Sequence, residues 1–436
     1  MGATKDQHEP PRRMQGVVLG LVSQAVIATG SLVSLVVLAR ALGPEDRGLV
    51  AAVIAPMLFL TAVLGGGIAD ALTHQVARSP ETAGSAFARS VAMLLVATIP
   101  GVFCVWLLAP VLMAGHEELI TLVVIVSLVS LPAGTLVLLR ARAAALRHWR
   151  VLVAESALSS GLKVVALLLL LATDQLTLYS GVVVLVVETF IGILVYVPYS
   201  LKRDGAGGGR RSPILRKLIL FSAAGWPGIL ATGLLGQAAQ LFIMPIASAD
   251  VLGEYVIALT IASLVGRIAI SVRNVVFAVE SADANYTRVA QASRISFTIS
   301  LLFAAFAAAT VPWALPFLVG GGFDSSVPAT LIMLTYVVVN GAGSVAIAGL
   351  VAHGKPHLRS IAVVAGAVVN VAMLLVLTPM AGTVGAAVAS LAHAVPGIIG
   401  LVFACRISGL RLFDFFLIRR GEFLDLLARV RAMGRR

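Results

Sequence analysis

Long apolar stretches separated by short polar breaks run the length of the chain. They recur at 17–39, 49–72, 90–113, 119–139, 151–172 and 176–199, and after a polar interval at 218–246, 255–280, 295–318, 328–352, 360–380 and 383–405. Each comes close to or exceeds the roughly 20 residues a helix needs to cross the hydrocarbon of a bilayer. Apolar residues within them are continuous, which predicts helices and not the alternating strands of a membrane barrel. Pro56, Pro100, Pro132, Pro227, Pro312 and Pro396 fall inside the runs; membrane helices tolerate proline and bend at it. The first run follows Lys5, Arg12 and Arg13. It is longer than the roughly 7–15-residue core of a cleaved signal, so it reads as a first spanning helix. The expected fold is an all-α membrane protein with about twelve transmembrane helices.

Composition agrees. Of 436 residues, 59% are hydrophobic and 12% charged, against roughly 25% charged in a soluble domain. Such a chain has too little polar surface to coat a globule in water. The net charge of +12 would point to nucleic acid in a soluble protein, but its distribution argues otherwise. With a cytoplasmic N-terminus, the inner segments hold Arg78, Arg89, Arg140, Arg142, Arg147, Arg150, Lys202, Arg203, Arg210, Arg211, Arg216, Lys217, Arg288, Arg294, Lys355 and Arg359, together with the arginines from Arg406 onward. The outer loops around Gly115, Asp174, Asp250, Asp324 and Gly382 hold none; Arg40 and Arg47, in the first outer loop, are the exceptions. This is the positive-inside pattern, with both termini cytoplasmic, and the basic residues also face anionic headgroups. Cys104 and Cys405 lie in apolar runs and form neither a disulfide framework nor a metal-ligand spacing.

The basic, glycine-rich segment 202–217 reads as a cytoplasmic linker. It divides a first lobe of six helices (1–201) from a second (218–405), and residues 406–436 form a basic, aromatic tail suited to the inner membrane surface. The halves repeat. GTLVLLRARAAALRHWR from Gly134 matches GSVAIAGLVAHGKPHLR from Gly343, with His148 and His357 in register, and LGPEDRGLV from Leu42 sits where SADVLGEYV from Ser248 sits in the second half. Repeated halves with a substrate site between them are a common transporter plan.

Several of these segments together resemble a known family. Asn370–Ser390, NVAMLLVLTPMAGTVGAAVAS, looks like the pattern of an Asn, an apolar run, then Pro-x-x-Gly-x-x-Gly-Ala-Ala of bacterial polysaccharide flippases; Gly354-Lys355-Pro356, the loop Arg40–Gly48 and Gly253-Glu254-Tyr255 fit it too. These exporters belong to the multidrug/oligosaccharidyl-lipid/polysaccharide (MOP) superfamily. The resemblance covers most of the chain. It implies two pseudo-symmetric six-helix lobes that open alternately to either side of a bacterial plasma membrane, moving an undecaprenyl-pyrophosphate-linked glycan outward for cell-surface polysaccharide export. The implied partners are that lipid-linked glycan, membrane lipids and the glycosyltransferases or polymerase of the pathway, with no nucleic acid.

A charge inside the bilayer costs about 2.5–3.5 kcal/mol on the insertion scale and marks a candidate site. Lys163, Glu188 and Arg267 fall near the midplane, Arg273 lies toward the cytoplasm and Arg40 near the outer mouth. An anionic pyrophosphate needs cations along its route; arginine grips phosphate bidentately and lysine acts as a point charge. Arg40, Lys163, Arg267 and Arg273 are therefore the expected headgroup-binding residues. Lys163 and Glu188 are equally readable as a structural pair, and Glu188 or Asp70 as a coupling group. Asp70, Glu155 and Glu280 lie near inner helix ends, where charge is commonplace. No cofactor or catalytic residue is expected; a proton or sodium gradient is the candidate energy source. Gly349–Pro356 imitates a phosphate-binding loop, but Pro356 replaces the Ser/Thr and a membrane helix precedes it. His353 and His357 are misaligned by Pro356 as metal ligands. Three other readings compete. A drug/cation antiporter wants deep acids, a peptidoglycan-precursor flippase usually has two more helices, and a membrane glycan polymerase or transferase wants a large outer loop.

Overall fold

The computed structural model describes residues 10–201, 214–280, 286–352 and 356–416. Part of the glycine-rich linker (202–213), the Gly354-Lys355 pair and the tail beyond Phe416 lie outside the described residues, as do the side chains of Arg12, Arg13 and Arg273. Among the described residues the fold is entirely helical: α1 (Pro10–Leu60), α2 (Gly66–Arg78), α3 (Ala83–Leu112), α4 (Ile120–Leu128), α5 (Ser130–Ala145), α6 (Trp149–Ala172) and α7 (Leu178–Leu201) in the first half. The second half comprises α8 (Ile214–Ile246), α9 (Ala249–Glu280), α10 (Tyr286–Val319), α11 (Ser326–Ala352), α12 (Pro356–Ser390) and α13 (Val395–Ser408).

Ten stretches among the described residues are long and apolar enough to cross a membrane. Two of them, Val22–Arg78 and His357–Ser408, span 57 and 52 residues. At 1.5 Å per residue the longer would be about 85 Å as one rod, against about 30 Å of hydrocarbon. Each contains a break. In α1, Gly43 adopts φ 74°, ψ −179°, a region essentially reserved for glycine, and Pro44 starts the next helical turn with its φ already set. In α12, Ala381 and Gly382 leave the helix after Pro379. The expected first outer loop is thus little more than Gly43: Arg40 and Arg47 are both helical and flank it.

Other irregularities follow local sequence. The helix between residues 120 and 145 breaks at Val129, because the Pro132 ring crowds the carbonyl four residues back, at Leu128. A 3-10 stretch, Leu391–Ala394, precedes Pro396 for the same reason. A π-helical turn, Thr61–Gly65, joins α1 to α2, and Gly65 there packs directly on Gly134 of α5.

Helices of each half pack mainly on one another. Ile68, Leu72, Val76, Leu94 and Leu138 form one buried cluster in the first half; Ala290, Ala342, Ala346, Leu401 and Phe415 form one in the second. Phe415 and Phe416 dock the start of the tail on α10 and α11, with Phe416 edge-on to Phe297 at 5.0 Å. Between the halves, Leu35 and Ala39 of α1 pack on Ile257 of α9 and Val311 and Leu315 of α10, while Leu218 of α8 joins the first-half cluster.

The outside of the bundle is apolar. Val96, Ile99, Phe103, Trp106 and Leu107 form an exposed stripe on α3, and Leu302, Phe306, Trp313 and Phe317 one on α10. In water this surface would aggregate; in lipid it is the expected solvent-facing side. The two tryptophans lie 207 residues apart (313−106) on corresponding helices of the two halves.

Candidate functional site

The deep charges sort into two environments. In the first half Arg140, Glu155, Lys163 and Glu188 are paired. Glu155 of α6 is fully buried and accepts two hydrogen bonds from Arg140 of α5, from Nε at 2.9 Å and from a terminal nitrogen at 2.6 Å. Ser159, one turn on, donates to the same carboxylate at 3.3 Å. Lys163, one turn further and 8% exposed, meets Glu188 of α7 at 3.0 Å. Glu155, Ser159 and Lys163 are spaced by four residues, so a single face of α6 presents acid, hydroxyl and base in succession. Ser156 on the neighbouring ridge bonds Ser23 of α1 at 2.7 Å. Two bases and two acids are therefore neutralised pairwise, and Lys163 is engaged by Glu188.

The second half holds a cavity of about 250 Å³ between α9, α10 and α11 and the 3-10 stretch before α13. Arg267 lies on its wall, with Ser296, Tyr336, Asn340, Ser344 and His393. Arg267 has no ion-pair partner among the described residues. The same wall carries hydroxyl, amide and imidazole groups and, among its lining residues, no acid. Tyr336 and His393 stack with ring centroids 5.2 Å apart.

The local backbone explains how His393 is held. The tightened turn before Pro396 leaves carbonyls without regular helical partners. Asn370 of α12 donates to the Ala389 carbonyl at 2.9 Å, and His393 Nδ1 donates to the Ser390 carbonyl at 2.8 Å. The Ser390 hydroxyl in turn bonds the buried Tyr255 hydroxyl at 2.8 Å. A polar chain thus runs from α9 through the break in the last membrane segment to the cavity wall.

The remaining candidates lie elsewhere. Arg40 is exposed at the Gly43 end of the bundle and donates to the Phe317 carbonyl of α10 at 2.9 Å. Arg273 lies on α9 six residues beyond Arg267, about 9 Å along the helix. Asp70 of α2 is exposed. The structure therefore brings Lys163 and Glu188 together, and places Arg267 in a cavity apart from them. Two features stand out less in the sequence. Arg140 reads as an inner-loop charge, although an acid fifteen residues on, across one helical turn-back, is a usable signal. The Tyr336–His393 stack joins residues 57 positions apart and left no local trace.

A family model described as polysaccharide biosynthesis protein matches residues 14–282. Among solved structures, the fold is similar to the inward-facing conformation of a multidrug resistance MATE family transporter of the MOP superfamily, with TM-score 0.70 at 15% identity, covering 89% of this chain and 98% of that one. It is equally similar to the lipid II flippase MurJ in an inward closed conformation, with TM-score 0.70 at 15% identity over 92% of this chain and 89% of that one. A MOP superfamily transporter from Pyrococcus furiosus, reported to have a binding pocket of reversed polarity, gives TM-score 0.58 at 16% identity over 93% and 96%. No curated protein matches the sequence.

Proposed function

Since the chain belongs to the polysaccharide biosynthesis protein family, we propose that it carries a polyprenyl-pyrophosphate-linked oligosaccharide across the bacterial plasma membrane by alternating access. In this reading it acts as a transporter and not as an enzyme. The chain turns back at Gly43 and again at Gly382, which divides its ten candidate spans into twelve crossings and leaves both termini in the cytoplasm. A proton or sodium gradient, or removal of the product, supplies direction, and the glycosyltransferases and polymerase of the pathway supply and consume the cargo.

The observation that carries this reading is the charge of the second-half cavity. Arg267 faces it without an acid partner among the described residues, so the wall is net positive where a diphosphate would pass. Arg273 extends that path toward the cytoplasm. A guanidinium in a low-dielectric site binds phosphate oxygens with charge-assisted bonds of about 1.5–3 kcal/mol each. An antiporter for cationic drugs wants the opposite: free carboxylates at depth. Glu155 and Glu188 are the deep acids of the first half, and both are occupied by bases.

Reconstituted liposomes carrying a fluorescent pyrophosphate-linked glycolipid test the proposal. Arg267→Ala should slow transbilayer movement about 10–100-fold, the range those bond energies imply, while Arg267→Lys retains part of the rate and both variants stay folded. Export of cationic dyes with no movement of any such lipid would replace this reading with the antiporter.

A further inference from the structure

At the Gly43 end of the bundle, the helical turn after Pro44 meets the start of α9 at contact closer than any side chain permits. A Cβ on Gly48 would lie 2.6 Å from the carbonyl carbon of Ala249 and 3.0 Å from the Gly253 nitrogen, with the Ala249 oxygen nearer still. A Cβ on Gly253 would lie 2.9 Å from the carbonyl carbon of Pro44 and 3.1 Å from the Gly48 nitrogen, again with the oxygen nearer. Every obstacle is backbone, so no change of rotamer relieves it. Neither glycine has positive φ; they are required for space, not for conformation. In each, the glycine hydrogen that takes the place of Cβ points at a carbonyl, the arrangement of a Cα–H···O contact.

The contact also maps onto itself when the halves are exchanged. Each glycine meets the residue four positions before the other, and 253−48 and 249−44 both equal 205. It is the self-complementary contact of a two-fold axis, made here within a single chain. Next to it lies an opposing element. Arg47 is 9% exposed, its Nε has no hydrogen-bond partner, and no ion pair engages it among the described residues. Burying an unpaired guanidinium is costly, and Arg47 sits on the same helical turn as Gly48, beside the contact.

We infer that these residues form a balanced gate: the Gly48–Gly253 backbone contact draws the two halves together at this end, and the desolvated Arg47 pushes them apart. Each residue then biases the same opening in an opposite sense. Weakening the contact opens the gate; removing the charge closes it. The inference rests on the transport reading only in that the halves separate, and its test requires no transported lipid.

The test uses the full chain in nanodiscs, with Cys104 and Cys405 replaced by serine and a reporter cysteine at Ala249→Cys, which is 6% exposed at the contact itself. Its rate of alkylation by a water-soluble maleimide follows the fraction of time the gate is open. Gly48→Ala should raise that rate about tenfold, as for a minor state lifted from the percent range, and Arg47→Met should lower it severalfold. A second reporter at Ala86→Cys, fully buried in the first half, should stay unreactive in both, which separates opening from unfolding. If Gly48→Ala does not fold, Arg47→Met alone decides: a slower rate supports the gate, and an unchanged or faster rate overturns it. A rate unchanged in a folded Gly48→Ala, or moved in the same direction by both substitutions, overturns it as well. Opposite shifts in a chain that moves no glycolipid would remove the cargo assignment and leave the gate standing.

Discussion

Glu155 illustrates how much one side chain can hold. It is fully buried, and its two carboxylate oxygens take both hydrogen bonds offered by Arg140. Removing one member of a buried pair leaves the other uncompensated, at roughly 3–5 kcal/mol. Because the Arg140 side chain is 42% exposed, Glu155→Ala should fall toward the lower end of that range. A fall in the unfolding temperature of the detergent-solubilised protein would measure it, and Arg140→Leu combined with Glu155→Leu should restore most of the loss. Lys163 and Glu188 were legible as a pair because hydropathy alone places both at mid-depth, where a charge needs a partner. Arg140 was not, because an arginine near a helix end fits the positive-inside pattern equally well. Its role appears only once α5 and α6 are laid side by side.

At the scale of elements, periodicity and hydropathy located the helices closely; the break at Val129 and the 3-10 turn at Leu391 are where Pro132 and Pro396 dictate. What a hydropathy profile misses is where the break falls. It divides the chain at polar residues, whereas the charged stretch Pro44-Glu45-Asp46-Arg47 is already helical and the break falls on Gly43 alone. That glycine cannot be replaced cheaply. Gly43→Ala places a Cβ in a backbone region that costs about 1–3 kcal/mol for other residues. With nothing within 4 Å of the added carbon, the penalty is purely conformational. The expected outcome is a lower unfolding temperature; an unaffected protein would mean that the reversal tolerates another backbone path.

For the whole molecule, the asymmetry of charge predicts orientation. The turn at Arg147-His148 belongs to the basic end and Asp174 to the Gly43 end. Single cysteines introduced at these two positions in intact cells should therefore behave oppositely. Asp174→Cys should react with a membrane-impermeant thiol reagent and His148→Cys should not, and the reverse pattern would invert the topology. The two-lobed plan was legible from the repeated segments. The contact of Gly48 with Gly253 was not, although both glycines stood in recognisable motifs: a motif does not say which surface it meets, and two residues 205 positions apart share no local signal. The cavity around Arg267 was legible only as a depth, since its walls come from helices spread over 130 residues.

The pairing of charges in the first half also bears on how the chain enters the membrane. Arg140 and Glu155 belong to consecutive helices, as do Lys163 and Glu188. A helix carrying a lone charge leaves the translocon reluctantly, but each of these is followed, within one further segment, by the residue that neutralises it. Insertion as successive helical hairpins would release α5 with α6, and α6 with α7, as electrically balanced units. Arg267 has no such companion among the described residues. The step in biogenesis most sensitive to it is the partitioning of α9, whose retention in the translocon would last until the neighbouring helices of the second half assemble around its charge.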